Sequence, residues 1–170
     1  MIRQETEQDF EQVNQLIKKA FENVEHSDGK EHLLVAELRK SDAFIPKLSL
    51  VAEEEGRIVG HILLTEGKVG DETVLMLAPL SVRREYQNQG IGSLLVQEGH
   101  KKAQLLGYSY ILVLGSDLFY PRFGYLPAQK FGIEIPADFP SKNFMAIKLQ
   151  EDAPKVGGKV VYAKEFGIHE

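Results

Sequence analysis

The stretch Pro79-Leu80-Ser81-Val82-Arg83-Arg84-Glu85-Tyr86-Gln87-Asn88-Gln89-Gly90-Ile91-Gly92-Ser93-Leu94-Leu95 is where this sequence can do chemistry. An apolar, strand-like run ends at Val82, the chain turns polar, and a helical pattern opens at two glycines. The start of a helix leaves about four backbone N–H groups without intrahelical partners, and the helix dipole puts partial positive charge there. Glycine lets another group come close to the backbone. Strand, glycine loop and helix start in this order make a cradle for a diphosphate. Arg83 and Arg84 stand just before it and can add charge-assisted contacts.

Spacing separates three such cradles. The nucleotide P-loop, G-x-x-x-x-G-K-[ST], fails on both spacing and lysine. The dinucleotide fingerprint, G-x-G-x-x-G straight after a strand, fails because its third glycine is Leu95 and several residues part strand from loop. The third pattern is Q-x-x-G-x-G, here Gln87, Gly90 and Gly92. It resembles the acetyl-CoA loop of the GNAT N-acetyltransferase superfamily. A strand ending in -PLSV-, an aromatic before the glutamine and -GIGSLL- opening a helix match as well. The resemblance implies a grip on acetyl-CoA, the acetyl donor, by Leu80, Ser81, Val82, Gln87, Asn88, Gln89, Gly90, Ile91, Gly92 and Ser93. The alternative is a helix start whose glycines serve close packing.

A second match lies at Phe119-Tyr120-Pro121-Arg122-Phe123-Gly124-Tyr125. GNAT enzymes often carry a tyrosine, three residues, then Gly-Phe at this place; here Tyr120 precedes Gly124-Tyr125. The -YPRFG- stretch is most similar to a bacterial branch, the YhbS-like acetyltransferases. Together the two matches cover about residues 73–127. The implied chemistry is attack of an amine on a thioester carbonyl, with expulsion of the CoA thiolate. A phenol, with pKa near 10, is protonated at neutral pH and can hand that thiolate a proton. Tyr120 is the candidate acid; the alternative is a packing tyrosine with a hydrogen-bonded hydroxyl. Many relatives carry an asparagine seven residues before the tyrosine, where this chain has Val113, and Ser116-Asp117 also departs from the closest branch.

The elements that must hold these residues can be read from periodicity. Met1 to Glu5 suits a short strand. Thr6 and Asp9 resemble a capping box, and Phe10, Val13, Ile17, Ala20, Phe21 and Val24 recur at helical spacing. Ser27 or Asp28 is placed to cap a second helix with Leu34 and Leu38 inside. Leu48 to Glu53 and Ile58 to Glu66 read as a hairpin around Glu55-Gly56-Arg57. Thr73 to Val82 is apolar almost throughout, as in a strand covered on both faces. Ile91 to Leu106 reads as a helix stopped by Gly107. Tyr110 to Leu114, Phe131 to Ile135, Phe144 to Leu149 and Lys159 to Ala163 are strands, and Ser116 to Phe123 a short helix or turn. This is a mixed-sheet α/β pattern. The resemblance adds a mostly antiparallel central sheet with splayed central strands, flanked by helices.

Pro79 is out of place in a buried strand, because it removes a ladder donor. It predicts a local break in pairing. The resemblance implies a bulge there and a splay from Tyr110 to Leu114, whose free backbone groups would take the cofactor arm as an added strand. N–H groups near Leu80 and Val82 would face the thioester oxygen.

Composition narrows the rest. The 170 residues fit one domain, taken as a single acetyltransferase domain over 1–170. With no cysteine, disulfides and thiolate chemistry are excluded. The polar start has no signal-peptide core and no run spans a membrane, so a cytoplasmic protein without a membrane partner is expected. The net charge of −5, with lysine and arginine scattered among acids, argues against nucleic acid. No histidine shows ligand spacing, so no metal is expected. The acceptor is an unidentified amine, met by the first two helices and the segment after Phe131, where Phe131, Phe139, Phe144 and Tyr162 form either an aromatic wall or core. His61, Glu66 and Glu37 are candidates for the general base; the alternatives are a satisfied polar residue, a solvated strand end and a surface helix charge. A homodimer through the C-terminal strands is expected by analogy only.

Overall fold

A computed structural model describes residues 1–24 and 27–168. The chain forms two compact units, Met1–Leu64 with Ala78–Lys102, and Thr65–Leu77 with Ala103–Glu170. Nine strands and three α-helices are present among the described residues: β1 Ile2–Gln4, α1 Phe10–Ala20, α2 Glu31–Leu38, β2 Phe44–Glu54, β3 Arg57–Val69, β4 Glu72–Val82, α3 Ile91–Leu105, β5 Tyr110–Leu114, β6 Leu126–Pro127, β7 Ile133–Glu134, β8 Phe144–Lys148 and β9 Gly158–Val161. β3, β4 and α3 each begin in one unit and end in the other.

The first unit opens as its sequence predicts. β1 pairs antiparallel with β2, Ile2 opposite Ala52 and Gln4 opposite Leu50. The Thr6 N–H and hydroxyl both donate to Asp9 Oδ2, at 2.8 and 3.1 Å, and this box closes a 3-10 turn that leads into α1. Arg3 clamps both oxygens of Asp9 at 2.7 and 2.9 Å and holds its carboxyl down at about 2. Val13, Leu16 and Ile17 form the buried stripe of α1. The helix stops at Ala20, so Val24, expected on that stripe, lies beyond it and is 45% exposed. Ser27 and Asp28 do not cap α2. Their side-chain oxygens accept from the N–H groups of Gly29 and Lys30 and shape the turn before it, while Lys30 takes the cap position. Val35 and Leu38 are the buried residues of α2.

β3 and β4 are buried along most of their length, as strands covered on both faces are. β4 is one strand that runs through Pro79, whose bond to Ala78 is cis. In the second unit β4 pairs with β5 in parallel over two rungs, Leu75 with Ile111 and Met76 with Leu112. Parallel neighbours need a crossover, and α3 supplies it. β5 continues antiparallel against β8 for five rungs, to Leu114 opposite Phe144. The ladder to β4 is thus the shorter of the two, in keeping with the splay implied for this pair.

The rest of the second unit differs from the sequence reading in detail. Only Ile133–Glu134 of the segment 131–135 is strand, because Ala128–Phe131 winds into a 3-10 turn. β6, unforeseen, pairs Leu126 with Ala146 and Pro127 with Met145. β9 pairs with β3 and with β7. Phe144 is buried in a cluster with Val74, Tyr110, Leu112 and Ile133, against which Phe131, Phe139 and Tyr162 pack. Edge-to-face pairs link Tyr110 to Phe131, Phe139 to Phe144 and Phe139 to Tyr162. The four aromatics offered as an acceptor wall are therefore core residues.

Candidate active site

The glycine loop of the first unit is built by local straps. After Val82 a 3-10 turn spans Arg84–Tyr86, closed by the Tyr86 N–H on the Arg83 carbonyl at 2.8 Å. The Arg83 N–H donates to Val59 O, and its Nε to Ile58 O, both at 2.8 Å, so Arg83 ties the loop to β3. Gln87 Nε2 reaches back to Val82 O at 3.1 Å, and Gln89 Nε2 to Glu85 O at 3.2 Å. Asn88 (φ +63°) and Gly90 (φ +87°) take left-handed backbone conformations that turn the chain into α3. The first bond of the helix joins Leu94 N–H to Gly90 O at 3.0 Å. The amides before it are the donors that a helix start offers to a ligand. Gln87 to Gly90 is exposed, and a Cβ on Gly90 would meet nothing within 4 Å.

Burial holds the helix start in place. Ile91 is 8% exposed, and Leu95 and Val96 are fully buried. Gly60 on β3 makes this possible: a Cβ there would lie 2.9 Å from Leu95 Cδ1, 3.1 Å from Ile91 Cγ2 and 3.3 Å from Ser81 O. Sequence reasoning missed Gly60, since nothing around it marks which helix will cross it. Ser81 is buried with an unpartnered hydroxyl, while Leu80 and Val82 are half-buried. Beside the loop lies a pocket of about 310 Å³ lined by Leu16, Lys19, Ala20 and Val24 from α1 and its exit, and by Arg83, Arg84, Glu85 and Gln87. Among the described lining residues, Lys19, Arg83 and Arg84 stand against Glu85, a balance that suits a phosphate-bearing guest.

Tyr120 belongs to the second unit. Ser116 caps its turn: Ser116 Oγ accepts from Leu118 N–H at 3.1 Å and Phe119 N–H at 3.2 Å, and Ser116 O accepts from Tyr120 N–H at 3.2 Å. Tyr120–Phe123 forms a 3-10 turn that ends at Gly124 (φ +103°). The Tyr120 ring meets Phe119 edge-on at 5.0 Å and Tyr125 at 5.5 Å. Burial pushes its phenol well above the ordinary value, so it stays protonated across neutral pH.

The base candidates fare differently. His61 is fully buried, and desolvation with the charge of Arg39 pushes it down to about 3. Its Nε2 lies 3.1 Å from Ser49 Oγ, which donates to Glu5 Oε1 at 2.8 Å; Glu5 in turn receives Arg39 at 2.7 and 3.2 Å. The Ser49 proton is thus used on Glu5, so Nε2 is the protonated nitrogen and Nδ1 is left without a partner. An imidazolium that acidic makes a poor base at neutral pH. Glu66 accepts the Tyr108 hydroxyl at 2.5 Å, and Glu37 is exposed on α2. Among the described residues no group of three or more metal-ligating side chains occurs, and no helix is long and apolar enough to cross a membrane.

The buried histidine has a measurable consequence. Between about pH 6.5 and 3 the unfolded chain binds a proton at His61 that the folded chain refuses, so stability rises with pH in that window and is lost on acidification. At roughly 1.4 kcal/mol per unit, the full loss is on the order of 5 kcal/mol. His100, held by burial at about 4, adds in the same direction. Urea midpoints taken from pH 7 to 4.5 are expected to fall, and the slope to be shallower in His61→Gln; equal slopes would refute the assignment.

Comparison with known proteins shows the family and the fold. The acetyltransferase (GNAT) family matches residues 10–125. The uncharacterized N-acetyltransferase YjhQ of Escherichia coli K12 is 39% identical over 119 residues, 67% of this chain and 66% of that protein. The uncharacterized N-acetyltransferase YhbS of the same strain is 30% identical over 98% of both chains. Its crystal structure in complex with CoA superposes with a TM-score of 0.88, at 28% identity over 98% of this chain and 91% of that one. A GNAT family acetyltransferase from Brucella melitensis in complex with acetyl-CoA gives 0.82, at 31% identity over 98% and 97%.

Proposed function

This chain belongs to the acetyltransferase (GNAT) family, and from that premise we propose that it transfers an acetyl group from acetyl-CoA to a primary amine by direct attack on the thioester. The observation that carries the reading is the open start of α3, where Gly90, at φ +87°, leaves clear space in front of the backbone amides of the first turn. Those amides, from Asn88 to Ser93, bind the diphosphate, and Lys19, Arg83 and Arg84 neutralise the neighbouring charge. The co-substrate supplies an acyl group already activated as a thioester. N–H groups at Leu80 and Val82 stabilise the developing oxyanion. As the amine nitrogen bonds to the carbonyl carbon it gives up one proton to water, the C–S bond breaks, Tyr120 gives its proton to the departing sulfur, and water returns a proton to the phenolate. CoA-bound relatives of closely similar fold support the cofactor.

A second reading draws on the site itself. His61 is held too acidic and Glu66 is engaged by Tyr108, so an acyl-CoA sensor with little turnover would use the same cradle. One experiment separates the two. CoA at 100 times its Kd is expected to raise stability by about 2.7 kcal/mol in a thermal shift. Thiol release from acetyl-CoA, followed with a panel of polyamines, aminoglycosides, lysine peptides and peptide N-termini, is expected to rise above its amine-free rate with at least one class. A shift without release favours the sensor, and no shift overturns both.

A further inference from the structure

We propose that Gly115 and Asn143 are positioning residues for Tyr120: the missing side chain of Gly115 is the seat of the phenol ring, and Asn143 holds that seat in place. A Cβ on Gly115 would lie 2.6 Å from Tyr120 Cε2, 3.2 Å from Cδ2 and 3.6 Å from Cζ, with the ring as its nearest neighbour throughout. Real Cβ atoms do not approach a ring so closely, so one of the two must move. The backbone at Gly115 does not itself demand glycine, because its φ lies outside the left-handed region. Space for the ring is the constraint. The seat is rigid. Gly115 N–H donates to Asn143 O at 2.9 Å, and Asn143 Nδ2 donates to Gly115 O at 3.0 Å. A single residue, 28 positions away, therefore satisfies both backbone groups of Gly115. Asn143 is anchored by its own N–H on Pro140 O at 3.1 Å. Phe119 and the buried Tyr125 meet the ring edge-on, so any shift of the ring breaks these contacts as well.

The inference deepens the reading of Tyr120 as the acid, and its catalytic consequence rests on that reading. An acid that must meet a departing sulfur loses rate when moved by an ångström, whereas cofactor grip is untouched. A methyl at position 115 is expected to push the ring out of its buried seat.

The test uses Gly115→Ala and Asn143→Ala in the full chain, each also combined with Tyr120→Phe. Ultraviolet titration, taken as the difference between each variant and its Tyr120→Phe counterpart, reads Tyr120 alone. The phenol is expected to titrate at least one unit lower in Gly115→Ala than in wild type. With acetyl-CoA and whichever panel amine is turned over, kcat is expected to fall 10- to 100-fold in Gly115→Ala and about 5-fold in Asn143→Ala. KM for acetyl-CoA should hold, and neither variant should lose further rate in the Tyr120→Phe background. An unchanged titration and an unchanged kcat in either folded variant would overturn the proposal. Should Tyr120→Phe alone leave turnover intact while the titration shifts, the seat stands and the acid reading fails. If Gly115→Ala does not fold, the same two readouts on Asn143→Ala decide.

Discussion

Gly90→Glu combined with Gly92→Glu is expected to remove CoA binding, with a rise in Kd of at least 100-fold by calorimetry. Three physical effects act together. Gly90 has φ +87°, where an L side chain is strained by about 1–2 kcal/mol, so the turn that aims the amides is pushed from its conformation. A carboxylate at the start of α3 answers the same partial charge that would hold the diphosphate, and so competes with the ligand from within. The remaining negative charge repels the phosphates and offsets the cations Lys19, Arg83 and Arg84 that line the adjacent pocket. At Gly90 the space around a Cβ is open to 4 Å, so the side chain itself meets no neighbour there. Far-ultraviolet dichroism and the urea midpoint check that the double variant folds. A folded double variant with wild-type affinity for CoA would end the assignment of the cradle.

Tyr120→Phe should lower kcat about 100-fold or more, within the range typical of a lost general acid. KM for acetyl-CoA should change little, because the phenol takes no part in gripping the diphosphate. Stability should change little as well: phenylalanine keeps the contacts with Phe119 and Tyr125 and the fit against Gly115, and surrenders one hydroxyl. The pH profile gives an independent signature. Because burial raises the phenol pKa, the acid form persists through neutral pH, and the wild-type rate should not decline on its account until strongly alkaline conditions. Equal turnover by the two proteins, with an amine that wild type acetylates, would remove Tyr120 from the chemistry and leave it a packing residue.

Much of this site could be read before any coordinates, because its signals are local. Gln87, Gly90 and Gly92 announce a strand-to-helix turn through residues within a few positions of one another, and the structure forms that turn with straps of four or five residues, Gln87 to Val82 and Gln89 to Glu85. The turn that carries Tyr120 is likewise closed by Ser116, four residues upstream. The Thr6–Asp9 box and the Gly107 stop, with φ +90°, follow the same logic. Propensity and capping act over one turn, so such features survive any tertiary context.

Where local pattern was ambiguous, packing decided. Phe131, Phe139, Phe144 and Tyr162 are aromatic in either a cleft wall or a core, and the burial of Phe144 among Val74, Tyr110 and Leu112 made them core. His61 on a strand reads as a base or as a satisfied polar group. Ser49, twelve positions earlier, and Arg39, through Glu5, gave it a dry environment that strips it of basicity.

The sequence by itself thus determined the glycine turn into α3, the turn of the tyrosine, the alternation of helices and strands, and through them the family. Tertiary structure alone decided why Gly60 and Gly115 have no side chains: one is crossed by Leu95 and Ile91 of α3, the other is filled by the ring of Tyr120 and pinned by Asn143, 28 residues on. The reason is range. Hydrogen-bonded turns are encoded by neighbours in the chain, whereas close packing depends on which distant surfaces meet, and a glycine carries no mark of the partner that will occupy its empty side.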